Sequence, residues 1–253
     1  LTLPANGDLS ESSISLPHGT EVTVSEVLPT APAGTEWAEP AFSDETFTIN
    51  AAAEDPLTVT ATNTIARDVA VFDARKVVVN DGGVDLSGIE SYELNYDYVF
   101  PWVADDAPAD ERGGSGTLTL PVDGEPVTSV ELPHGTVVTV SEVAPVAPEG
   151  SSWAEPVYSP AEFVVDADAE TVTVTVTNTI TRDAARFAAH KVVVNDDNVD
   201  LSGVESYELE YSYSFPWVAD DAPAGERGGS GTLVLPADGE VVTSEELPHG
   251  TVV

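Results

Sequence analysis

The segment 171–180, TVTVTVTNTI, constrains the fold more than any other part of the sequence. Threonine and valine alternate along it, and successive side chains of a β-strand point to opposite faces. The positions that share one face are Val172, Val174, Val176 and Asn178. Burying an amide without hydrogen-bond partners costs about 1–3 kcal/mol. We therefore expect Asn178 to face a specific partner inside the domain.

The same strand ending occurs earlier in the chain, as LTVTATNTI, where Leu57, Val59, Ala61 and Asn63 share one face. Asn178 follows Asn63 by 115 residues, and the same offset relates Lys191 to Lys76 and Trp217 to Trp102. Glu142 follows Glu26 by 116 residues. The chain is therefore built from repeats, and each repeat has the size of a whole domain.

The repeat frame predicts one complete domain and two partial ones. Residues 65–180 form the complete repeat, residues 1–64 the C-terminal part of a first repeat, and residues 181–253 the N-terminal part of a third. We interpret the chain as a window from a longer array of repeats.

Short alternating segments separated by turns predict an all-β fold. In VFDARKVVVN the inward residues are Phe72, Ala74, Lys76 and Val78, and in SYELNYDYVF they are Tyr92, Leu94, Tyr96, Tyr98 and Phe100. Helical periodicity occurs nowhere. About seven short strands at this spacing are typical of an antiparallel, immunoglobulin-like β-sandwich, and we expect the repeats to be arranged end to end.

Three polar residues of the complete repeat interrupt faces that are otherwise apolar: Lys76, Glu142 and Asn178. The first repeat keeps Glu26 and Asn63, and the third keeps Lys191. Lys76 and Lys191 are the only lysines in the chain, so lysine is confined to this one position of the repeat.

Charge and composition exclude several classes of function. The chain has 45 acidic and 8 basic residues and a net charge of −37, which argues against nucleic acid or an anionic membrane surface as a partner. No apolar run approaches the length of a membrane span, and a signal peptide and a wall anchor are absent from this window. The chain lacks cysteine. In a secreted protein its stability would then come from the core, a metal or another cross-link.

The three polar residues carry a resemblance to a known family. A lysine in the first strand, a glutamate between Gly135 and Pro145, and an asparagine in a final V-T-N-T strand make each repeat similar to the collagen-adhesin B-type (Cna B) domain. These domains occur in surface adhesins and pilins of Gram-positive bacteria, and the resemblance implies repeats of a Gram-positive, actinobacterial surface protein.

The resemblance implies a spontaneous isopeptide bond between Lys76 and Asn178, promoted by Glu142. Asn63 and Glu26 of the first repeat and Lys191 of the third take the corresponding roles. It also implies an extracellular, surface-located or wall-anchored stalk or filament. Its partners are neighbouring repeats of the same chain and, in a fibre, laterally associated chains; the ligand at its tip is not identified. Such a protein needs no cofactor and is not a turnover enzyme.

Other interpretations remain open at this stage. Lys76, Glu142 and Asn178 also fit a buried salt bridge with a hydrogen-bonding asparagine. A ligand-binding adhesin module for a sugar or a host protein is a second possible function, with Trp102 and Trp153 as its surface. Pairs of acidic residues could contribute to a calcium site that stiffens the repeats: Asp105 with Asp106, Asp81 with Asp85, and Asp166 with Asp168. The histidines lie in turns or beside Lys191 and lack the clustering expected of metal ligands.

The net charge of −37 predicts how the chain behaves in solution. We expect it to stay dispersed at low salt by self-repulsion and to lose solubility near its pI of about 4.1. Light scattering between about pH 3.5 and pH 7, a range that includes the titration of carboxylates, measures this. Retention on nucleic acid at physiological salt would contradict it.

Overall fold

The computed structural model describes residues 1–12, 14–50, 52 and 57–253. In this part of the chain the regular elements are β-strands, which confirms the all-β prediction, and no described segment is a helix that could cross a membrane. The strands are β1 (Glu21–Thr23), β2 (Thr35–Trp37), β3 (Ala41–Phe42), β4 (Thr46–Thr48), β5 (Ala61–Thr62), β6 (Ile65–Arg67), β7 (Val69–Ala70), β8 (Asp73–Val79), β9 (Ser91–Val99), β10 (Gly113–Pro121), β11 (Val127–Thr128), β12 (Leu132–Pro133), β13 (Val137–Glu142), β14 (Ser151–Trp153), β15 (Val157–Ser159), β16 (Glu162–Val164), β17 (Thr173–Arg182), β18 (Ala184–Ala185), β19 (Ala188–Ala189), β20 (Ser206–Ser214), β21 (Gly228–Pro236), β22 (Val242–Thr243) and β23 (Leu247–Pro248).

The strands belong to two units. Unit 1 comprises Leu1–Ala70, Leu132–Gly135 and Asp166–Glu170, and unit 2 comprises Val71–Glu131, Thr136–Val165 and Thr171–Val253. Within unit 1, four antiparallel pairs form, namely β1 with β4, β2 with β6, β3 with β5, and β7 with β12.

Unit 2 contains a β-sandwich. One sheet has four strands in the order β10-β9-β13-β16, and the other has the order β11-β8-β17-β14, with β15 also paired to β17. Val and Thr are the commonest residues in these strands and Tyr recurs in β9, as expected for side chains that pack well on a pleated surface. Further along unit 2, β20 and β21 form a long antiparallel hairpin, β18 pairs with β23, and β19 pairs with β22.

The core lies between the two sheets of the sandwich. Phe72, which precedes β8, meets Tyr96 of β9 and Phe163 of β16 edge-on, with ring centroids 5.3 and 5.1 Å apart. This arrangement suits the quadrupoles of the rings. The largest fully buried apolar side chains are Phe72, Leu94, Leu120, Val138, Val174, Val176 and Ile180. Most of them are residues that alternation placed inward, so the predicted core faces of β8, β9, β13 and β17 are confirmed.

One pairing departs from the antiparallel pattern. β8 and β17, the first and last long strands of the sandwich, are parallel neighbours, with Lys76 opposite Val176 and Asn178 opposite Val78. Paired residues point to the same side of a sheet. Lys76 and Asn178 therefore project from adjacent strands into the same core, two residues apart in register.

The strand β10 begins with a glycine-rich stretch that contains Gly113, Gly114 and Gly116. Gly116 pairs with Tyr96 of β9, whose ring folds back over it. A Cβ atom at Gly116 would lie 2.2 Å from the Tyr96 hydroxyl oxygen. The glycines thus make room for aromatic rings that lie across the sheet.

Replacing Gly116 by alanine should force the buried Tyr96 ring to move. We expect the free energy of unfolding to fall by about 1–3 kcal/mol, as for other overpacked cores. Gly88→Ala is the matched control, because no atom lies within 4 Å of a Cβ built there, and it should change stability by less than about 0.5 kcal/mol. Urea unfolding of both variants measures the difference, and equal effects would contradict this account of β10.

Candidate functional site

Lys76 occupies the middle of β8 and points into the core of the sandwich. Its side chain is 1% exposed, and its Nζ donates a hydrogen bond to Oε1 of Glu142 over 2.5 Å. Alternation places it there, because Ala74 and Lys76 share the inward face of the strand while Arg75 is exposed. The prediction that this lysine is buried is confirmed.

Glu142 reaches the lysine from the opposite sheet. It is the last residue of β13, and its side chain is 0% exposed. The backbone N–H of Glu142 donates to the hydroxyl oxygen of Tyr158 over 2.8 Å, which fixes the end of β13 against β15. The second carboxylate oxygen, Oε2, is buried and has no hydrogen-bond partner in the described part of the chain.

Asn178 is fully buried, as its place in the alternation predicted. Neither its amide nitrogen nor its amide oxygen has a hydrogen-bond partner among the described residues. An unsatisfied buried polar group costs about 1–3 kcal/mol, so aliphatic residues such as the neighbouring Val174 and Val176 would suit packing better. Packing and hydrogen bonding therefore do not account for an asparagine at this position.

Two aromatic residues complete the surroundings of the lysine. The ring of Tyr92 lies 4.4 Å from Nζ of Lys76, and Trp153 packs edge-on against Tyr92 with centroids 6.4 Å apart. Trp153 is paired with Ile180, two residues along β17 from Asn178. Its indole N–H is buried without a hydrogen-bond partner within the described residues.

Burial decides the electrostatics of the site. Loss of hydration lowers the pKa of Lys76 below its ordinary value, although the hydrogen bond to Glu142 and the charge of that residue act in the opposite direction. Burial also raises the pKa of Tyr92, and the nearby charge of Glu142 adds to the effect. A larger fraction of the Lys76 amine is therefore neutral than for a lysine in water. The site also holds a carboxyl group and an unpaired amide.

The first repeat, in unit 1, has the acid and the amide without the lysine. Nδ2 of Asn63 donates directly to Oε1 of Glu26 over 3.0 Å. Asn63 is exposed, so the expectation that it faces a core is wrong for this chain.

The third repeat has the lysine without the acid and the amide. Lys191 is partly exposed, and its Nζ lies 4.7 Å from the ring of Tyr207. Tyr207 follows Tyr92 by 115 residues, so the contact between lysine and tyrosine recurs. Of the predicted site residues, the structure brings together Lys76 with Glu142 and Glu26 with Asn63.

Sequence reasoning gave no role in this site to Tyr92 or Tyr158, and it considered Trp153 only as part of a ligand-binding surface. Alternation places Tyr92 inward but does not show that its ring lies beside Lys76. The contact of Tyr158 with Glu142 joins residues 16 apart across two strands, and the first repeat has Phe42 at the corresponding position. Only the paired register of β14, β15 and β17 reveals these neighbours.

One histidine does cluster with acidic residues, which corrects the expectation that none would. Within unit 1, ligand atoms of His134, Asp166 and Asp168 lie within 4.8 Å of one another. Nδ1 of His134 accepts the backbone N–H of Ala167 over 3.2 Å and lies 3.3 Å from Oδ1 of Asp166. Because the lone pair of Nδ1 is occupied in this way, the imidazole would have to turn before that atom could bind a metal.

Comparison with known proteins identifies the family. The sequence matches the family described as "Domain of unknown function (DUF5979)" over residues 1–66 and 72–181. These segments cover more than half of the chain, and the protein therefore belongs to this family. The second segment contains Lys76, Glu142 and Asn178. No curated protein matches the chain.

Removing the hydroxyl group of Tyr158 tests how Glu142 is held. Tyr158→Phe leaves the N–H of Glu142 without its acceptor, and we expect the free energy of unfolding to fall by about 1–2 kcal/mol. Tyr98→Phe serves as a control, with an expected change below about 0.5 kcal/mol. Chemical denaturation gives both values; a loss no larger than that of the control would show that the contact does not stabilise β13.

Proposed function

We propose that this protein is a tension-bearing segment of an extracellular stalk or filament, in which the complete repeat is closed by an isopeptide bond between Lys76 and Asn178. The single observation that carries the proposal is the fully buried amide of Asn178, which has no hydrogen-bond partner among the described residues and lies on the same core face as the Lys76–Glu142 pair.

The proposed reaction exchanges one amide for another. The neutral amine of Lys76 attacks the side-chain carbonyl carbon of Asn178, and a bond forms between Nζ and that carbon. Glu142 hydrogen-bonds the carbonyl group and carries a proton from Nζ to the departing nitrogen. The bond from the carbonyl carbon to Nδ2 then breaks, and one molecule of ammonia leaves. Glu142 ends in its starting state, so a single turnover needs no cofactor and no oxidant.

The surroundings of the three residues favour this reaction. Burial lowers the pKa of Lys76, which increases the fraction of neutral, nucleophilic amine. Adjacent parallel strands hold the amine and the amide on one face, so little movement is needed to bring them together. The buried N–H of Trp153 is a donor on the same face of the sheet, available to the oxygen of the new amide.

A plain buried ion pair explains less. The Lys76–Glu142 contact fits such a pair, and replacing buried ion pairs with apolar residues is often neutral or stabilising. An ion pair by itself has no use for Asn178. The covalent interpretation gives all three residues a role and accounts for the presence of lysine at this position only.

The mechanical consequence supports a stalk. The bond would join residues 102 positions apart, and by analogy with a disulfide of that span it would stabilise the repeat by about 4–5 kcal/mol. Tension entering along β8 would pass through the bond into β17, so the enclosed residues could not be extended. Between Asn178 and Lys191 only 13 residue steps remain, with a maximum length of about 45 Å.

The extracellular location and the stalk role also rest on the sequence. The loops of the complete and third repeats are almost identical, VADDAPADERGGSG and VADDAPAGERGGSG. A ligand-binding module would be expected to carry loop residues that its neighbours lack, whereas a spacer repeats its loops. The acidic surface would keep a long molecule of this kind dispersed.

The mass of the intact chain tests the bond. We expect the 253-residue chain to be lighter than its sequence by one ammonia, because only the repeat 65–180 contains all three residues. Lys76→Ala, Glu142→Ala and Asn178→Ala should each restore the full mass. Lys191→Arg is the control that removes the other lysine, and it should leave the mass loss unchanged.

Tryptic digestion locates the bond. Cleavage after Arg75, Arg112 and Arg182 should release peptide 76–112 joined to peptide 113–182, with Lys76 resistant to trypsin. Full mass in the native chain, or a mass loss that persists in Lys76→Ala, would overturn the proposed cross-link and leave the buried ion pair as the better interpretation.

A further inference from the structure

Arg182 ends β17, the last strand of the complete repeat, which therefore runs two residues beyond the boundary predicted at residue 180. Its guanidinium group donates to three backbone carbonyl groups from two repeats. Its Nε donates to the carbonyl oxygen of Gly82 over 2.8 Å and its Nη2 to that of Gly83 over 2.9 Å. Its Nη1 donates to the carbonyl oxygen of His249 over 3.3 Å. All of these residues belong to unit 2. Gly82 and Gly83 lie in the complete repeat, whereas His249 lies in the third.

The guanidinium group also stacks on an aromatic ring of the third repeat. Its central carbon lies 3.8 Å from the ring centroid of Trp217, a favourable cation–π geometry. Trp217 is the first of a series of contacting aromatic rings within the third repeat. The series continues through Phe215, Tyr213 and Tyr211 to Phe187, with successive ring centroids 5.2, 5.5, 6.3 and 5.0 Å apart. Arg182 therefore connects β17 to the aromatic packing of the next repeat.

Two glycines of the complete repeat are shaped to receive the third. Gly83 has φ of +55°, and a Cβ atom there would lie 3.1 Å from Cδ1 of Trp217. Gly150 has φ of +71°, and its Cβ would lie 2.1 Å from the imidazole ring of His249. A side chain at Gly150 would displace the imidazole. The surface facing the third repeat thus depends on the absence of side chains.

The connecting backbone is fixed as well. The N–H of Asp183, which follows Arg182, donates to the carbonyl oxygen of Gly150 over 2.9 Å. The carbonyl oxygen of Asp183 accepts the N–H of His249 over 2.6 Å. The residue that joins the two repeats is therefore hydrogen-bonded to both of them.

The same contacts recur within unit 1, one repeat earlier in the sequence. The N–H of Asp68 donates to the carbonyl oxygen of Gly34 over 2.9 Å. The N–H of His134 donates to the carbonyl oxygen of Asp68 over 2.7 Å. Nη1 of Arg67 donates to the carbonyl oxygen of His134 over 3.3 Å. A Cβ at Gly34 would lie 2.1 Å from the His134 ring. These backbone, arginine and glycine contacts are thus a feature of the repeat and occur twice.

We propose that Arg182 and Trp217 form a repeat lock, an interaction surface at the end of one repeat whose partner is the next repeat of the same chain. The lock fixes the direction in which the third repeat leaves the complete one. It goes beyond the isopeptide bond, which acts within a repeat, and it does not require that bond.

The chemistry of the lock suits a strongly acidic chain. The acceptors of Arg182 are neutral carbonyl groups and its stacking partner is an aromatic ring, so salt screens these contacts less than it screens exposed ion pairs. Arginine is specifically suited to the position, because a planar guanidinium can donate in several directions and stack at the same time. A lysine would keep the charge and lose this geometry.

The absence of cysteine in the chain allows a direct test by spin labelling. Thr119→Cys in β10 and Val234→Cys in β21 introduce labels at exposed, corresponding positions of the complete and third repeats. Pulsed electron paramagnetic resonance then gives the distribution of distances between the labels. We expect a narrow distribution whose width is the same at low and at high salt.

Arg182→Ala should broaden the distribution at least about twofold, since the short connection then behaves as a hinge. Arg182→Lys should broaden it to a lesser extent, and Arg112→Ala, which removes an exposed arginine, should leave it unchanged. Circular dichroism confirms that each variant retains its strands. Trp217→Phe, which keeps a smaller ring, is the second variant if Arg182→Ala fails to fold, and it should also broaden the distribution.

A broad distribution of label distances in the parent chain would overturn the lock, and so would the absence of broadening in Arg182→Ala and Trp217→Phe. A distribution that is narrow only at low salt would also overturn it, because repulsion between acidic repeats would then explain the fixed geometry. The result is separate from the fate of the isopeptide bond. Lys76→Ala should abolish the mass loss without changing the distribution, whereas Arg182→Ala should broaden the distribution and keep the mass loss.

Discussion

The parallel pairing of β8 with β17 is the constraint on which the rest of the structure depends. It places the first and last long strands of the complete repeat side by side, in a sandwich whose other pairings are antiparallel. The register of this pairing puts Lys76 and Asn178 on one core face, on adjacent strands. The same pairing brings the end of β17 beside the loop after β8, where Arg182 contacts Gly82 and Gly83.

These two sets of contacts lie in series along the chain. The proposed bond joins β8 to β17 near their middle, and Arg182 follows Asn178 by four residues at the point where the chain enters the third repeat. Force carried by β17 would therefore leave the cross-link and pass directly into the contacts with Trp217 and His249. A stalk built in this way would resist extension within a repeat and bending between repeats through separate interactions.

The buried lysine stands out against the composition of the chain. With 45 acidic and 8 basic residues, a cation could find an anionic partner almost anywhere on the surface, yet Lys76 is enclosed with Glu142. Burial works against its charged form, and the carboxyl group only partly offsets that effect. The free-energy cost of enclosing a lysine, an acid and an unpaired amide together is understandable if the site serves a reaction.

The sequence by itself determined the local features of this protein. Side chains of a strand alternate between its two faces whichever strands lie beside it. This alternation was enough to predict the all-β fold and the inward faces that carry Lys76, Glu142 and Asn178. The 115-residue offset likewise predicted the repeat frame. Only the tertiary structure decided which strands are neighbours, because strand pairing joins residues far apart in the chain. It therefore decided the contact of Tyr158 with Glu142, the approach of His134 to Asp166, the exposure of Asn63 and the stacking of Arg182 on Trp217.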